Sequence, residues 1–434
     1  MTTQTNAAGA VATGNRQLRR VVTASMLGTA VEWYDFFVYG AAAALVFGPQ
    51  FFPAFSPVAG TLAAFSTFAI GFVGRPLGGA LLGHFGDRLG RKSVLVLSLF
   101  VMGVATFAIG LLPTYSAIGV WAPILLVLLR FLQGMAVGGE WAGAVLMAVE
   151  HAPANRRGFY GSFPQMGVPL GLVLSNVVFL AIATTLSDDQ FATWGWRVPF
   201  LLSAVLVAVG LFIRLRVSES PYFTQVQERG STRRAPVVDV LRDHKRAVLL
   251  AGGSFIATNT IGYIFIAYVL SYATSVLGME KPRVLWMLIA ASVVWLAAIG
   301  PFARLSDAVG RRTVFLSGIV LMALASVTFF PLLNTTATIP MLLALVLVAL
   351  GLACAYGPQA ALFAELFPTE IRTSGASLGY QIGAVLGGGL APIVATALYE
   401  AAGSAVWVAV YMVAVCVMSI AAVVGVPETS EAAL

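Results

Sequence analysis

Long apolar runs alternate with short polar breaks from one end of the chain to the other. Each run holds about 20 residues, enough to cross ~30 Å of hydrocarbon as a helix rising about 1.5 Å per residue. Twelve spans are read, at 21–47, 58–84, 93–112, 119–149, 158–184, 196–215, 247–275, 284–302, 313–333, 338–364, 374–400 and 404–426. The pattern predicts an all-α membrane protein. The first span stands apart, because the stretch Gly28 to Gly40 (GTAVEWYDFFVYG) sets Glu32 and Asp35 inside an otherwise apolar helix. Ionisable groups at that depth are costly and mark either an ion or substrate path or a pair that locks helices together. Spaced i, i+3, the two acids share one helix face, with Tyr39 a further turn along.

Composition agrees with the pattern: the 434 residues are 59% hydrophobic and 10% charged, with a mean hydropathy of +0.90. The net charge of +7 would suit a nucleic-acid partner, but its distribution argues against one. Twenty of the 25 Lys and Arg lie in the N-terminus or in every second connection, which predicts a multi-pass protein with both termini in the cytoplasm. Met1 to Gly14 is uncharged and rich in small residues, so it is expected to be disordered and is no signal peptide. Cys354 and Cys416 sit in apolar spans, and His84, His151 and His244 are scattered, so neither a disulfide nor a metal site is expected.

The chain repeats itself. Gly83-His-Phe-Gly-Asp87-Arg88-Leu-Gly90-Arg91-Lys92 returns 220 positions later as Ala303-Arg-Leu-Ser-Asp307-Ala308-Val-Gly310-Arg311-Arg312. Glu150-x-x-Pro153-x-x-x-Arg157 returns after 215 as Glu365-x-x-Pro368-x-x-x-Arg372. Two matching offsets predict duplication of a six-helix unit. The expected layout is a disordered N-terminus (1–18), a first bundle (19–215), a linker (216–246), a second bundle (247–426) and a cytoplasmic tail (427–434).

The loop Gly-x-x-x-Asp87-Arg88-x-Gly-Arg91-Lys92 and Arg130-x-x-Gln133-Gly134 resemble signatures of the major facilitator superfamily. Glu-Trp-Tyr-Asp-Phe in the first span, Gly-Arg75-Pro-Leu-Gly-Gly in the second, Gly-Gly-Glu140-Trp in the fourth and Glu219-Ser-Pro-x-Phe after the sixth resemble the metabolite:proton symporters. Ile118 to Pro153 and Trp194-Gly-Trp-Arg-Val-Pro-Phe look most like the shikimate-type permeases. The resemblance implies twelve helices in two pseudo-symmetric six-helix bundles, residence in a bacterial cytoplasmic membrane, and proton-coupled uptake of a small organic acid such as shikimate by alternating access. Ala303 and Ala308 replace Gly83 and Arg88 in the second loop, so weaker gating contacts are expected there. Gly167-Val-Pro169-Leu-Gly171 matches the family's fifth-helix motif only in part, which leaves antiport open. Ending at Leu434, the chain is without the long coiled-coil tail of osmosensing betaine permeases, which argues against that branch.

Depth decides which charges can meet. Asp35 lies ~21 Å into the first helix and Arg130 ~14 Å in from the other face, overlapping levels in a ~30 Å core. Burial favours a protonated carboxyl and a nearby guanidinium favours an ionised one, so making or breaking this pair switches proton affinity. The resemblance implies the same pair, since proton-coupled sugar porters are similar at a Tyr-Asp in helix 1 and an Arg in helix 4. Glu32 is the alternative carrier, and the proton is the only coupling species expected, with no cofactor. Arg75 and Glu140 form a second candidate pair, either a gate or a fixed bridge. Arg130 is the candidate anchor for a substrate carboxylate, because a guanidinium offers two parallel hydrogen bonds. Arg75, Tyr39, Gln133, Gln165, Asn259, Tyr263, Tyr356, Gln359, Tyr380 and Gln381 complete the candidate substrate wall, along with Trp286 and Trp295. Asp87 is expected to cap a helix N-terminus of the opposite half, with Arg91 and Arg157 pairing with Glu150, Arg88 in the same gating set, and Asp307, Arg311, Glu365 and Arg372 as the second set. The expected partners are a small organic anion and the bilayer, and the expected state is monomeric. A dicarboxylate, tricarboxylate or betaine symporter, a proton-antiport exporter and a passive facilitator remain alternatives, whereas no catalytic constellation points to an enzyme.

Overall fold

A computed structural model of the chain describes residues 2–89, 91–138, 140–215, 236–368 and 371–430, and every regular element among them is helical. The spans of the first half are α1 (Val22–Phe51), α2 (Pro57–Leu89), α3 (Arg91–Leu111), α4 (Trp121–Val137 and Glu140–Glu150), α5 (Arg157–Thr185) and α6 (Val198–Leu215). Those of the second half are α7 (Lys245–Ser275), α8 (Lys281–Val309), α9 (Arg311–Leu333), α10 (Thr338–Glu365), α11 (Arg372–Ala402) and α12 (Val406–Val424). Among the described residues ten are long and apolar enough to cross a membrane, and the shorter apolar helices Val96–Leu111 and Trp121–Val137 supply the other two. Helices are the natural solution here, since a backbone N–H or C=O in hydrocarbon must find its partner within the segment. Of the expected linker 216–246, residues 216–235 lie outside the described set and Pro236–Asp243 is helical. The backbone of α1 continues as helix back to Thr2.

The two halves pack by one plan. In the first, α1 lies against α5, α2 against α4 and α3 against α6; in the second, α7 lies against α11, α8 against α10 and α9 against α12. A single π turn interrupts α1 at Ala43–Phe47 and α7 at Ile264–Tyr268. The halves meet where α5 crosses α8 and α10, α2 crosses α11, and α1 touches α7.

The α2–α4 contact positions the centre of the molecule. Gly71, Gly74 and Gly78 of α2 face Gly134 and Gly138 of α4 so closely that a Cβ on Gly78 would stand 1.8 Å from the Met135 carbonyl oxygen, and one on Gly134 2.0 Å from that of Gly71. Small residues permit such backbone-to-backbone packing in membranes, where dispersion rather than water expulsion drives association. Gly134→Ala is expected to separate the helices and destabilise the protein by at least the ~1–3 kcal/mol typical of overpacking. Thermal unfolding of the detergent-solubilised variant checks this, and an unchanged midpoint would refute it.

Candidate functional site

Three ionisable side chains are buried in α1, α2 and α4. Asp35 and Arg130 are fully buried and Arg75 is 1% exposed. Arg130, brought in by α4, lies over the rings of Phe36 (3.9 Å from Cζ to the centroid), Tyr39 (4.3 Å) and Phe68 (4.7 Å). Arg75, brought in by α2, lies over Phe36 (4.5 Å), Phe72 (4.6 Å) and Trp33 (5.3 Å). Because both guanidinium carbons sit over Phe36, they are at most 8.4 Å apart, the sum of their distances to that ring. Gly71 makes room for Arg130, since a Cβ there would lie 2.7 Å from its Nε. Aromatic faces attract a desolvated cation, which lowers the cost of burying two. Even so, Nε and Nη2 of both arginines donate to no acceptor, and neither carboxyl oxygen of Asp35, beside the Thr106 hydroxyl, makes a hydrogen bond of normal geometry. Buried polar atoms without partners are rare and ask for an explanation.

The opposing wall comes from the second half. Tyr263 of α7 packs edge-on against Phe36, Phe68 and Phe72, its hydroxyl beside Arg75 without a hydrogen bond of normal geometry. The hydroxyls of Tyr356 and Tyr380 adjoin, Trp295 lies edge-on to Tyr356 at 5.8 Å, and both amide atoms of Gln359 are buried without partners. A small cavity opens below Arg75 between the halves, walled by Glu32, Trp33, Arg75, Trp141, Tyr380 and Gln381. Its floor is a stack of Trp141 on Tyr380, centroids 4.1 Å apart, locked by Gln381 donating to the Gly138 carbonyl at 2.8 Å. Gln165 accepts from Trp141 Nε1 (2.8 Å) and approaches the Tyr356 carbonyl (3.5 Å).

Contacts bridge the halves at both ends. At the end where α1 begins and α12 finishes, Asp307 accepts from the backbone N–H groups of Gly158 and Phe159, each at 2.9 Å. A carboxylate thus caps the N-terminus of α5, a helix of the other half, where orphan N–H groups and the helix dipole favour negative charge. Arg311 fixes that carboxylate (2.5 Å) and reaches Glu365 (3.4 Å), while Glu428 accepts from the N–H groups of Arg311 and Arg312. Glu150 meets Arg372 at 3.8 Å, and Arg157 lies within Coulombic range of Glu365, so the acid of each repeated motif meets the base of the other. At the opposite end Asp188 pairs with Lys281 at 2.6 Å, and that hydrogen bond and charge hold its carboxyl below the usual carboxylate range. Asp307→Asn is expected to loosen the first closure by about 1 kcal/mol, or roughly fivefold in the open population. Alkylation of a single cysteine at Ala144 in the cavity wall, on a background without Cys354 and Cys416, reads this as a faster rate; an unchanged rate would remove Asp307 from the closure.

Several expected contacts are not made. Among the described residues no ion pair joins Asp35 to Arg130; Arg130 Nη1 instead donates to Gln133 Oε1, and Gln133 Nε2 donates to the Asp35 backbone carbonyl (3.3 Å) and to Thr106 Oγ1 (2.8 Å). Arg75 faces rings rather than Glu140, and Glu140 opens the second segment of α4 beside Ser98. Glu150 pairs with Arg372, a base outside the expected set for it. The second loop, expected to be the weaker, makes the capping contact, and its Ala303 is fully buried. The side chains of Asp87, Arg88 and Arg91 lie outside the described residues. Tyr39 donates to Thr67 (2.6 Å) and Asn259 to the Phe255 carbonyl of its own helix (3.3 Å). Trp286 is 42% exposed and faces away from the cavity wall. The reading missed Thr106, Glu428 and the rings around the arginines; the aromatic run Trp33-Tyr34-Asp35-Phe36-Phe37 was the available signal for the last.

Comparison with known proteins places this architecture. The family model described as "Sugar (and other) transporter" matches residues 21–237 and 231–434. The inner membrane metabolite transport protein YhjE of Escherichia coli is 43% identical over 423 residues, covering 96% of this chain and 95% of that protein. The shikimate transporter of the same organism is 44% identical over 407 residues, 92% of each. In fold, the chain is similar to the crystal structure of a D-xylose-proton symporter, with a TM-score of 0.75, 21% identity, and 95% of this chain and 99% of that one covered. The chain therefore belongs to the sugar (and other) transporter family of the major facilitator superfamily and is a membrane-spanning metabolite transporter.

Proposed function

We propose that this transporter takes up a small hydroxylated organic acid together with a proton, by rocking of the two bundles about the central site. The observation that carries this reading is the buried Asp35 carboxyl, without a hydrogen bond of normal geometry, linked through Thr106 and Gln133 to Arg130, one of two buried arginines whose Nε and Nη2 groups are left over. Asp35, or Glu32 at the cavity wall, carries the proton, and Arg130 with Arg75 receives the substrate carboxylate. The hydroxyls and amides of Tyr263, Tyr356, Gln359, Tyr380 and Gln381 suit the hydroxyl groups of a ring-bearing acid. The name of the shikimate transporter, at 44% identity, supports an acid of that kind. The basic excess supports an orientation with the Asp307 end in the cytoplasm, in a bacterial inner membrane like that of its relative, and the protein is read as a monomer.

The test is uptake into proteoliposomes loaded with a pH-reporting dye, offering shikimate, protocatechuate, α-ketoglutarate, citrate and betaine in turn. Shikimate or protocatechuate is expected to acidify the lumen. Acidification by betaine alone would move the substrate class to zwitterions, and transport without proton movement would leave a facilitator.

A further inference from the structure

The centre holds a buried cation and a buried acid with no ion pair between them, linked by two side chains: Gln133 on Arg130, and Thr106 beside the Asp35 carboxyl. Gln133 follows Arg130 by one turn of α4 and is itself fully buried. Its amide can be oriented in only one way: an arginine has no acceptor, so Oε1 must face Arg130 Nη1, and Nε2 then faces the two acceptors it meets, the Asp35 carbonyl and Thr106 Oγ1. Thr106 is anchored in turn, its hydroxyl donating to the Met102 carbonyl of α3 at 2.9 Å. Three helices are thus tied at one amide, and the guanidinium is held over Phe36, Tyr39 and Phe68.

We propose that Gln133, backed by Thr106, is a positioning residue of the coupling site that holds Arg130 off the Asp35 carboxyl, so that the carboxyl is free to take up a proton. This rests on the reading of Asp35 as the proton carrier. When Asp35 loses its proton, the carboxylate becomes the stronger acceptor, and release of Arg130 from Gln133 lets the charges pair. The other titratable or charged groups around them are Tyr34 and Tyr39 of α1, Arg75 of α2 and Tyr263 of α7, with Glu32 one turn back on α1. From α3 the packed residue is Thr106, which does not titrate, and the charges of α3, α5 and α6 sit at helix ends.

The test needs no substrate. Infrared difference spectra of the full chain in proteoliposomes, recorded against pH, show protonated carboxyls by their C=O stretch, and Asp35→Asn identifies the band of Asp35. In Gln133→Leu, Arg130 is free to pair with Asp35, and the half-intensity pH of that band is expected to fall by about one unit or more, the effect of an opposite charge at close range. Thr106→Val, which removes one anchor, is expected to shift it less in the same direction. Adding Arg130→Gln to Gln133→Leu should abolish the shift, because the effect acts through the guanidinium. Wild-type midpoints in both Gln133→Leu and Thr106→Val, or a shift that persists without Arg130, would overturn the positioning role while leaving Asp35 as carrier. Absence of any band removed by Asp35→Asn would overturn the carrier reading itself, and this role with it.

Discussion

Asp35→Asn is expected to reduce proton-driven accumulation to simple equilibration while exchange of internal for external substrate continues. The carboxyl is buried and makes no hydrogen bond of normal geometry. An amide keeps its shape and removes only its capacity to bind and release a proton. At an imposed pH difference of about 2 units, one proton per substrate sustains up to about 100-fold accumulation, since each unit is worth 1.36 kcal/mol, or about tenfold. The variant should therefore lose about two orders of magnitude in steady-state ratio. Labelled shikimate in proteoliposomes with a pH gradient, alongside a counterflow measurement, separates the two properties. Wild-type accumulation in the variant would hand the proton to Glu32, the other acid on that face.

Arg130→Gln carries the second large effect. In a site bridged by contacts at both ends, the ring faces of Phe36, Tyr39 and Phe68 offset only part of the cost of burying the guanidinium. A bound carboxylate supplies the missing counter-charge through hydrogen bonds to a planar fork. Truncating one partner of a buried charge pair costs about 3–5 kcal/mol, or about 10²- to 4 × 10³-fold in affinity. Shikimate quenching of the fluorescence of Trp33 and Trp141 reports the binding, and a dissociation constant within threefold of wild type would exclude Arg130 as the anchor. Arg130→Lys should recover little, because a point charge does not reproduce the fork.

The twelve spans and their duplication were legible because each rests on a property of a single segment: an apolar run of sufficient length, or a motif returning at a fixed offset. The site was legible in height but not in direction. Depth along α1 and α4 set Asp35 and Arg130 at one level, yet sequence gives no azimuth, and the partner Arg130 meets is Gln133. For Glu150 partners were sought within its own half, at Arg91 and Arg157, and the base it is seen to meet is Arg372 from the duplicate. The break in α4 shows a further limit. The Gly-Gly before Glu140 entered only as part of a motif, and what occupies the Gly138 carbonyl is Gln381, a residue 243 positions away.

The glycine seam between α2 and α4 bears on how such a carrier changes its cargo. With backbone against backbone, Gly71, Gly74, Gly78, Gly134 and Gly138 tolerate no larger side chain without prising the helices apart, and these same helices hold Arg75 and Arg130. The first bundle is therefore an anvil, and its two-arginine surface, proposed to grip the anion, cannot be reshaped piecemeal. Tyr263, Trp295, Tyr356, Gln359 and Tyr380 form the die opposite it, and exchanging one of them alters the shape and hydrogen bonding of the chamber without moving a helix axis. Selection for a new acid would act on the die while the anvil stays as it is.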